Sequence, residues 1–308
     1  MRIRIGFLVV FIAAVAYGNF NEFKQLPVDP SLEAALQHAA DASLKADPKL
    51  TADGLALSII DVTKPDVISR ADVRGDAPFY PASVVKLFFM TETFHQHQEN
   101  EPDMPRALQQ MIEISDNDAT AFVVDTITDT CSGPELQGWH LRRFMEKRGV
   151  VNRWFQSMGY DISAMAKPWS FGPYGRDEQL MGGPTLPNRN RATANTIAAL
   201  LLWIERGRAV SPAASQAMMD LLARPLNPTR ADENQVTEFI GEALPAGSKL
   251  WSKAGWTSQV RHDAAVFQLP DGHKYILVIL TQGAADDKTL IPSIAHNVLI
   301  ELQPIVAP

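Results

Sequence analysis

The stretch Ser83-Val84-Val85-Lys86 decides the reading of this chain. It predicts a helix over residues 83–96, with Pro81 just before its start and Val84, Val85, Leu87, Phe88, Phe89 and Met90 in its first turns. A helix that is apolar nearly all round is a buried one. Residues three apart share a helical face, so Ser83 and Lys86 point the same way. A lysine in such surroundings is costly unless it is neutral or hydrogen-bonded. Desolvation lowers its pKa, and a neutral amine can take a proton from a neighbouring hydroxyl, which makes a nucleophile without a histidine. Free backbone N–H groups at a helix start also favour developing negative charge. The tetrapeptide alone equally fits a plainer arrangement, in which Ser83 caps the helix and Lys86 snorkels to solvent.

Two further pieces follow in order. Residues 107–114 are helix-forming, Ser115-Asp116-Asn117-Asp118 breaks the run, and residues 119–124 resume it. Alone this is a turn or a helix cap. Within a set, Ser115 can pass a proton to a leaving group and the Asn117 amide can bind a substrate carbonyl. Residues 249–256 read as a strand that puts Trp251, Lys253 and Gly255 on one face. Glycine in a strand marks a close approach of ligand or backbone. Lys253 would supply positive charge beside an edge able to pair with an extended substrate; alone it fits as well a solvent-facing lysine that blocks aggregation. Residues 262–268 and 275–281 form the next two strands, around the turn Pro270-Asp271-Gly272-His273. Arg261 opens the first of these, and its planar fork suits a carboxylate.

Taken together these residues resemble the serine β-lactamase and penicillin-binding protein superfamily, most of all the class A β-lactamases. The signature Ser-x-x-Lys, Ser-Asp-Asn and Lys-Thr-Gly is carried here as Ser83–Lys86, Ser115–Asn117 and Lys253–Gly255. Gly133-Pro134-Glu135-Leu136, Leu244-Pro245-Ala246-Gly247 and Arg261 with Ala264-Ala265-Val266 look alike too, over roughly residues 30 to 305. The resemblance implies an α+β fold: an antiparallel sheet of the five-stranded type, flanked by helices, with an inserted all-helical domain. Residues 30–82 plus 207–308 would form the α/β domain and residues 83–206 the helical one, with the site between them. It also implies acyl transfer. Ser83 would attack a carbonyl with Lys86 as base, and the backbone N–H groups of Ser83 and Trp256 would form the oxyanion hole. Ser115 would protonate the departing nitrogen, Asn117 would hold the substrate side chain, and Lys253, Arg261 and nearby Ser258 would meet its carboxylate.

Four departures stand out. Ala254 replaces the family's hydroxyl residue in the third motif, the Ser83-to-Ser115 gap is short, and residues 138–160 are expanded, with His140, Leu141, Phe144 and Met145 at helical spacing. The fourth concerns the loop glutamate that activates the deacylating water in class A enzymes. Its place falls within residues 167–191, where Asp177 or, with a shift of one, Glu178 is the candidate; both also fit exposed loop carboxylates. The leading function is therefore hydrolysis of the β-lactam amide through an acyl-serine. The alternatives are a cell-wall D,D-peptidase or penicillin-binding protein, or a sensor that binds β-lactams or peptidoglycan without turnover. A glutaminase on the same fold is a more distant one.

Arg2 and Arg4, the apolar residues 5–15 and Ala14-Val15-Ala16 read as a signal peptide cleaved after Ala16, so export without a stable membrane anchor is expected. Cys131, the only cysteine, excludes an internal disulfide and is expected to be a buried, inert thiol. His95 and His97 lie two apart on a helix and do not share a face. No metal and no cofactor are expected. The net charge of -7 argues against a nucleic-acid partner. The expected partner is a small β-lactam or a cell-wall peptide, and the expected state is a monomer.

Overall fold

The computed structural model describes residues 17–168, 175–183, 185–227 and 235–302. The expected signal peptide, residues 1–16, lies outside the described residues. Among those, no helix is long and apolar enough to cross a membrane.

Helices α1 (Phe20–Lys24) and α2 (Pro30–Ala46) precede the hairpin of β1 (Leu55–Lys64) and β2 (Val67–Val73). The middle of the chain is helical: α3 (Lys86–His95), α4 (Met104–Glu113), α5 (Asn117–Thr128), α6 (Gly138–Arg148), α7 (Val150–Ser157), α8 (Arg176–Met181), α9 (Ala194–Glu205) and α10 (Pro212–Leu222). Strands β3 (Ala223–Arg224), β4 (Lys249–Trp256), β5 (Val260–Gln268) and β6 (Lys274–Gln282) then lead to α11 (Leu290–Leu302). The sheet is antiparallel with order β2-β1-β6-β5-β4-β3. Strand β6 returns beside β1, with Leu55 opposite Thr281, so both ends of the chain close one sheet.

The sheet has six strands where the sequence led to five. The addition, β3, has two residues and pairs only with Leu250 and Trp251 of β4. It is too short to show a period-two pattern. Its shortness leaves the β4 edge beside Lys253 to Trp256 without a strand partner among the described residues.

Side-chain alternation divides the core in two. Leu57, Ile59, Leu277 and Ile279 face α2 and α11, while Ala56, Ile60, Val278 and Leu280 face the helical middle. Strands β5 and β6 are consequently buried along nearly their whole length. Helix α2 begins where the Asp29 carboxylate accepts from the Ser31 and Leu32 N–H groups and Pro30 fills the first turn. Its Leu32, Ala35, Leu36 and Ala39 form the expected inward stripe, all buried. Helix α9 opens with a Thr193–Thr196 capping box and is buried on almost every side, because it lies between the sheet and the other helices.

The expanded region is helical as expected, forming α6 and α7. Phe144, Val151 and Phe155 are buried, and Trp154 stacks on His95 with ring centroids 3.9 Å apart, whereas His140 is exposed. Cys131 corrects its expectation: it is exposed, in the connection between α5 and α6. Leu57 is fully buried in β1 between β2 and β6. Leu57→Ala should therefore cost about 2–5 kcal/mol of unfolding free energy, read as a lower denaturant midpoint at unchanged slope.

Candidate active site

Ser83 lies in the 3-10 turn Ala82–Val85, which runs directly into α3. The turn is held from three sides. Ala82 has φ of 47°, a left-handed conformation that carries backbone strain in a residue with a Cβ. The Val84 N–H donates to Pro81 O at 3.1 Å. His262 of β5 donates from Nε2 to Tyr80 O at 2.9 Å while its Nδ1 accepts from the Thr281 N–H at 3.0 Å, which fixes the neutral tautomer. Burial pushes the His262 pKa down to about 4, so the ring stays neutral at physiological pH.

The third side is β4. A Cβ built on Gly255 would lie 2.7 Å from Ser83 N and 2.8 Å from Val84 N. Only glycine lets the strand come this near the nucleophile turn. The close approach brings the backbone of Gly255 and Trp256 beside Ser83, where the oxyanion hole was expected.

Lys86 is fully buried. Its Nζ is within hydrogen-bonding distance of Ser115 O (2.6 Å), Asn117 Oδ1 (2.9 Å), Ser115 Oγ (3.2 Å) and Asp116 O (3.3 Å). Burial lowers its pKa to about 7, against a smaller opposing pull from Asp116. Lys253 is buried as well, with Nζ donating to Gln235 Oε1 at 2.7 Å and to Ser115 Oγ at 3.0 Å. Burial, then the Lys86 and Arg224 charges, hold its pKa well below the usual lysine range. The Ser115 hydroxyl thus sits between two amines, within hydrogen-bonding distance of both. Ser115 reaches it with φ of 60°, in the break where Asp116 caps α5 by accepting from the Ala119 N–H at 2.6 Å.

The structure therefore brings together Ser83, Lys86, Ser115, Asn117, Lys253, Gly255 and Trp256. The Ser83 hydroxyl makes no hydrogen bond to a described residue and faces a cleft of about 250 Å³ that Lys86, Asn117 and Trp256 also line. Ser258 is not among them: it is exposed in the β4–β5 turn, and Thr257 lines the cleft instead. Arg261 is buried and engaged elsewhere, pairing with Glu238 at 2.5 Å and stacking 4.7 Å from the Phe239 ring centroid.

The loop carboxylates do not reach Ser83 either. Asp177 is buried against Arg148, at 3.2 Å, and accepts from Ser132 Oγ at 2.7 Å; Glu178 is exposed on α8. Arg148 explains this, because a fully buried guanidinium needs anionic partners. It takes Asp125 at 2.7 Å as well as Asp177, and Lys167 joins Asp125 at 2.6 Å.

Two residues with a part in the site gave no sequence signal. Gln235 bridges β4 and the end of α4: its Oε1 accepts from Lys253 Nζ and the Ala254 N–H, and its Nε2 donates to Ile112 O and Glu113 O. His262 lies seven residues after Gly255 with no motif of its own.

A buried Ser-x-x-Lys turn against a glycine strand, with a serine between two lysines, on a sheet closed by both chain ends, defines the serine β-lactamase and penicillin-binding protein class. A family model described as the beta-lactamase enzyme family matches residues 101–302, and the chain belongs to that family. Ser83 and Lys86 precede the matched stretch, so their assignment rests on the geometry above. Among solved structures, PBP-A is 19% identical, with 89% of this chain and 97% of that chain covered and a TM-score of 0.62. The beta-lactamase from Sphaerobacter thermophilus is 19% identical over 86% of this chain and 96% of that chain, with a TM-score of 0.59. The TLA-1 extended spectrum β-lactamase is 13% identical over 88% and 99%, with a TM-score of 0.63. These similarities establish the fold. Comparison with curated protein sequences finds no match.

Gly255→Ala tests the packing of β4 on the nucleophile turn. The new methyl must displace backbone, and a shift near 1 Å at a reacting group costs on the order of a hundredfold in rate. The expected result is a drop of that size in covalent labelling of Ser83 by penicillin. Labelling at the original rate would mean that strand and turn separate freely.

Proposed function

We propose that this protein is an acyl-serine enzyme of the penicillin-binding, D,D-peptidase type, acylated rapidly at Ser83 and deacylated slowly when the acyl donor is a β-lactam. Neutral Lys86 takes the proton of the Ser83 hydroxyl as the oxygen attacks the substrate carbonyl carbon. The carbon–nitrogen bond then breaks, and the departing nitrogen receives a proton through Ser115, which Lys253 and Lys86 flank. The product is an ester on Ser83. The free Asn117 Nδ2 is suited to the acyl side-chain carbonyl, since its Oδ1 is held by Lys86.

One observation carries the choice between peptidase and fast β-lactamase. Within residues 167–191 the only carboxylates are Asp177 and Glu178. The first is buried against Arg148 and the second points to solvent. No Asp or Glu lines the cleft among the described residues. Hydrolysis of the ester then lacks the loop base on which class A turnover rests. PBP-A bears on the same point, since a point mutant of it is solved as an acyl-enzyme complex with penicillin G.

Incubation with penicillin should give a mass adduct that persists for many minutes, lost in Ser83→Ala, with little colour change from a chromogenic cephalosporin. Rapid colour change without adduct would favour the class A hydrolase reading instead. The acylation rate should rise with pH through about 7, since burial lowers Lys86 to about that value and only the unprotonated amine accepts the Ser83 proton. A rate constant independent of pH from 6 to 8 would remove Lys86 as the base.

A further inference from the structure

The cleft in front of Ser83 has a second charged wall that the acyl-transfer chemistry does not use. Ala166, Lys167, Pro168, Met181, Leu186, Arg189 and Asn190 form it. Most of its polar groups are already engaged. The Lys167 amine pairs with Asp125 at 2.6 Å. The Asn190 amide accepts from the Met165 and Ala166 N–H groups and donates to Ala166 O at 2.7 Å.

Arg189 differs. Its guanidinium carbon lies 3.4 Å from the Tyr80 ring centroid, and the group has no carboxylate partner among the described residues. Stacking uses the face of the guanidinium and leaves its N–H edges available, in a planar fork that matches a carboxylate. The backbone that carries the Tyr80 ring is anchored, because the Tyr80 carbonyl accepts from His262 three residues before Ser83. The stack on that ring restricts the Arg189 side chain before a ligand arrives.

The side of the substrate it meets follows from the proton path. The leaving nitrogen faces Ser115 and Lys253, which do not line this cleft, whereas Asn117 and Arg189 do. The wall carrying Arg189 therefore receives the acyl portion.

We infer that Arg189 is a specificity-determining residue that reads a carboxylate on the acyl side of the substrate, so the preferred acyl donors are anionic there. This rests on the acyl-transfer reading for the orientation of the substrate. The ligand class is a peptide or β-lactam whose acyl side chain bears an acidic group, and the neighbouring Met181 and Leu186 would cover its apolar stem.

Benzylpenicillin and its α-carboxy analogue differ only by that carboxylate. In Ser83→Ala protein, binding measured by calorimetry should favour the α-carboxy compound by about tenfold or more, as for a charge-assisted bidentate contact. Arg189→Gln in the same background should bring the two affinities within about twofold, and Arg189→Lys, which keeps charge but loses fork and stack, should retain only part of the preference. Equal binding of the two compounds, no binding of either at millimolar concentration, or a preference that survives Arg189→Gln would each overturn the assignment. Intact mass of the chain with Ser83 present reports separately on acyl transfer. Absence of an adduct from both penicillins, with the binding preference intact, would remove the acyl-transfer reading and leave the anion site standing.

Discussion

Two lysine amines share one serine hydroxyl in the interior of this protein, and the arrangement around them follows from that constraint. Lys86 and Lys253 reach Ser115 Oγ at 3.2 and 3.0 Å while both are buried. Burial lowers the pKa of both amines, and the Lys86 charge lowers that of Lys253 further. Oxygen acceptors around the two amines offset part of this burial cost. The break between α4 and α5 turns the Ser115 and Asp116 carbonyls toward Lys86. Gln235 presents an oxygen to Lys253 and ties it to the end of α4. Under β4, the Asp263 carboxyl accepts from the Ile240 and Ala264 N–H groups, and burial raises its pKa to about 6 despite the pull of Lys253 and Arg224. Burial thus shifts Lys86, Lys253 and Asp263 each toward its neutral form.

The loop that closes the cleft obeys a different constraint. Arg148, buried at the end of α6, draws Asp125 and Asp177 inward, and Asp125 in turn holds Lys167. The expanded α6–α7 region thereby takes the loop's one inward carboxylate as a structural anchor. With Asp177 fixed there, the cleft wall is left apolar at Met181 and Leu186 and cationic at Arg189. A departure in one part of the chain, the extra helices, thus accounts for the position of Asp177 in another.

Much of this was legible in the sequence because it depends on local spacing. Ser83 and Lys86 share a helical face, Leu32 to Ala39 form a stripe, and Gly255 signals a close approach; each is a matter of a few adjacent residues. What escaped the sequence depends on contacts across long separations. Gln235 and His262 act through partners far away in the chain. Arg261 was placed in its strand correctly, but its engagement by Glu238 needs the fold. Asp177 and Glu178 are adjacent, and only the position of Arg148 distinguishes the inward one from the outward one. Strand β3 was missed because two residues carry no periodicity, and Cys131 because exposure in a connection has no local code.

The two halves of an acyl-serine reaction consequently rest on different physical supports. On the proposed reading acylation uses Ser83, Lys86, Ser115 and Lys253, which sit on a 3-10 turn and the buried helix it opens, a capped helix junction and the buried strand β4. Close packing holds them, and backbone strain at Ala82 and Ser115 persists because the surrounding core over-determines it. Deacylation of the class A type would use a base from the 167–191 segment, and there Lys167 and Asp177 are held by ion pairs with Asp125 and Arg148 rather than by the sheet. A loop can therefore lose or gain that base without disturbing the acylating apparatus. In this chain Ser83, Lys86, Ser115 and Lys253 are held together by the core while Asp177 is bound to Arg148, and on the proposed reading that separates the supports of the two half-reactions.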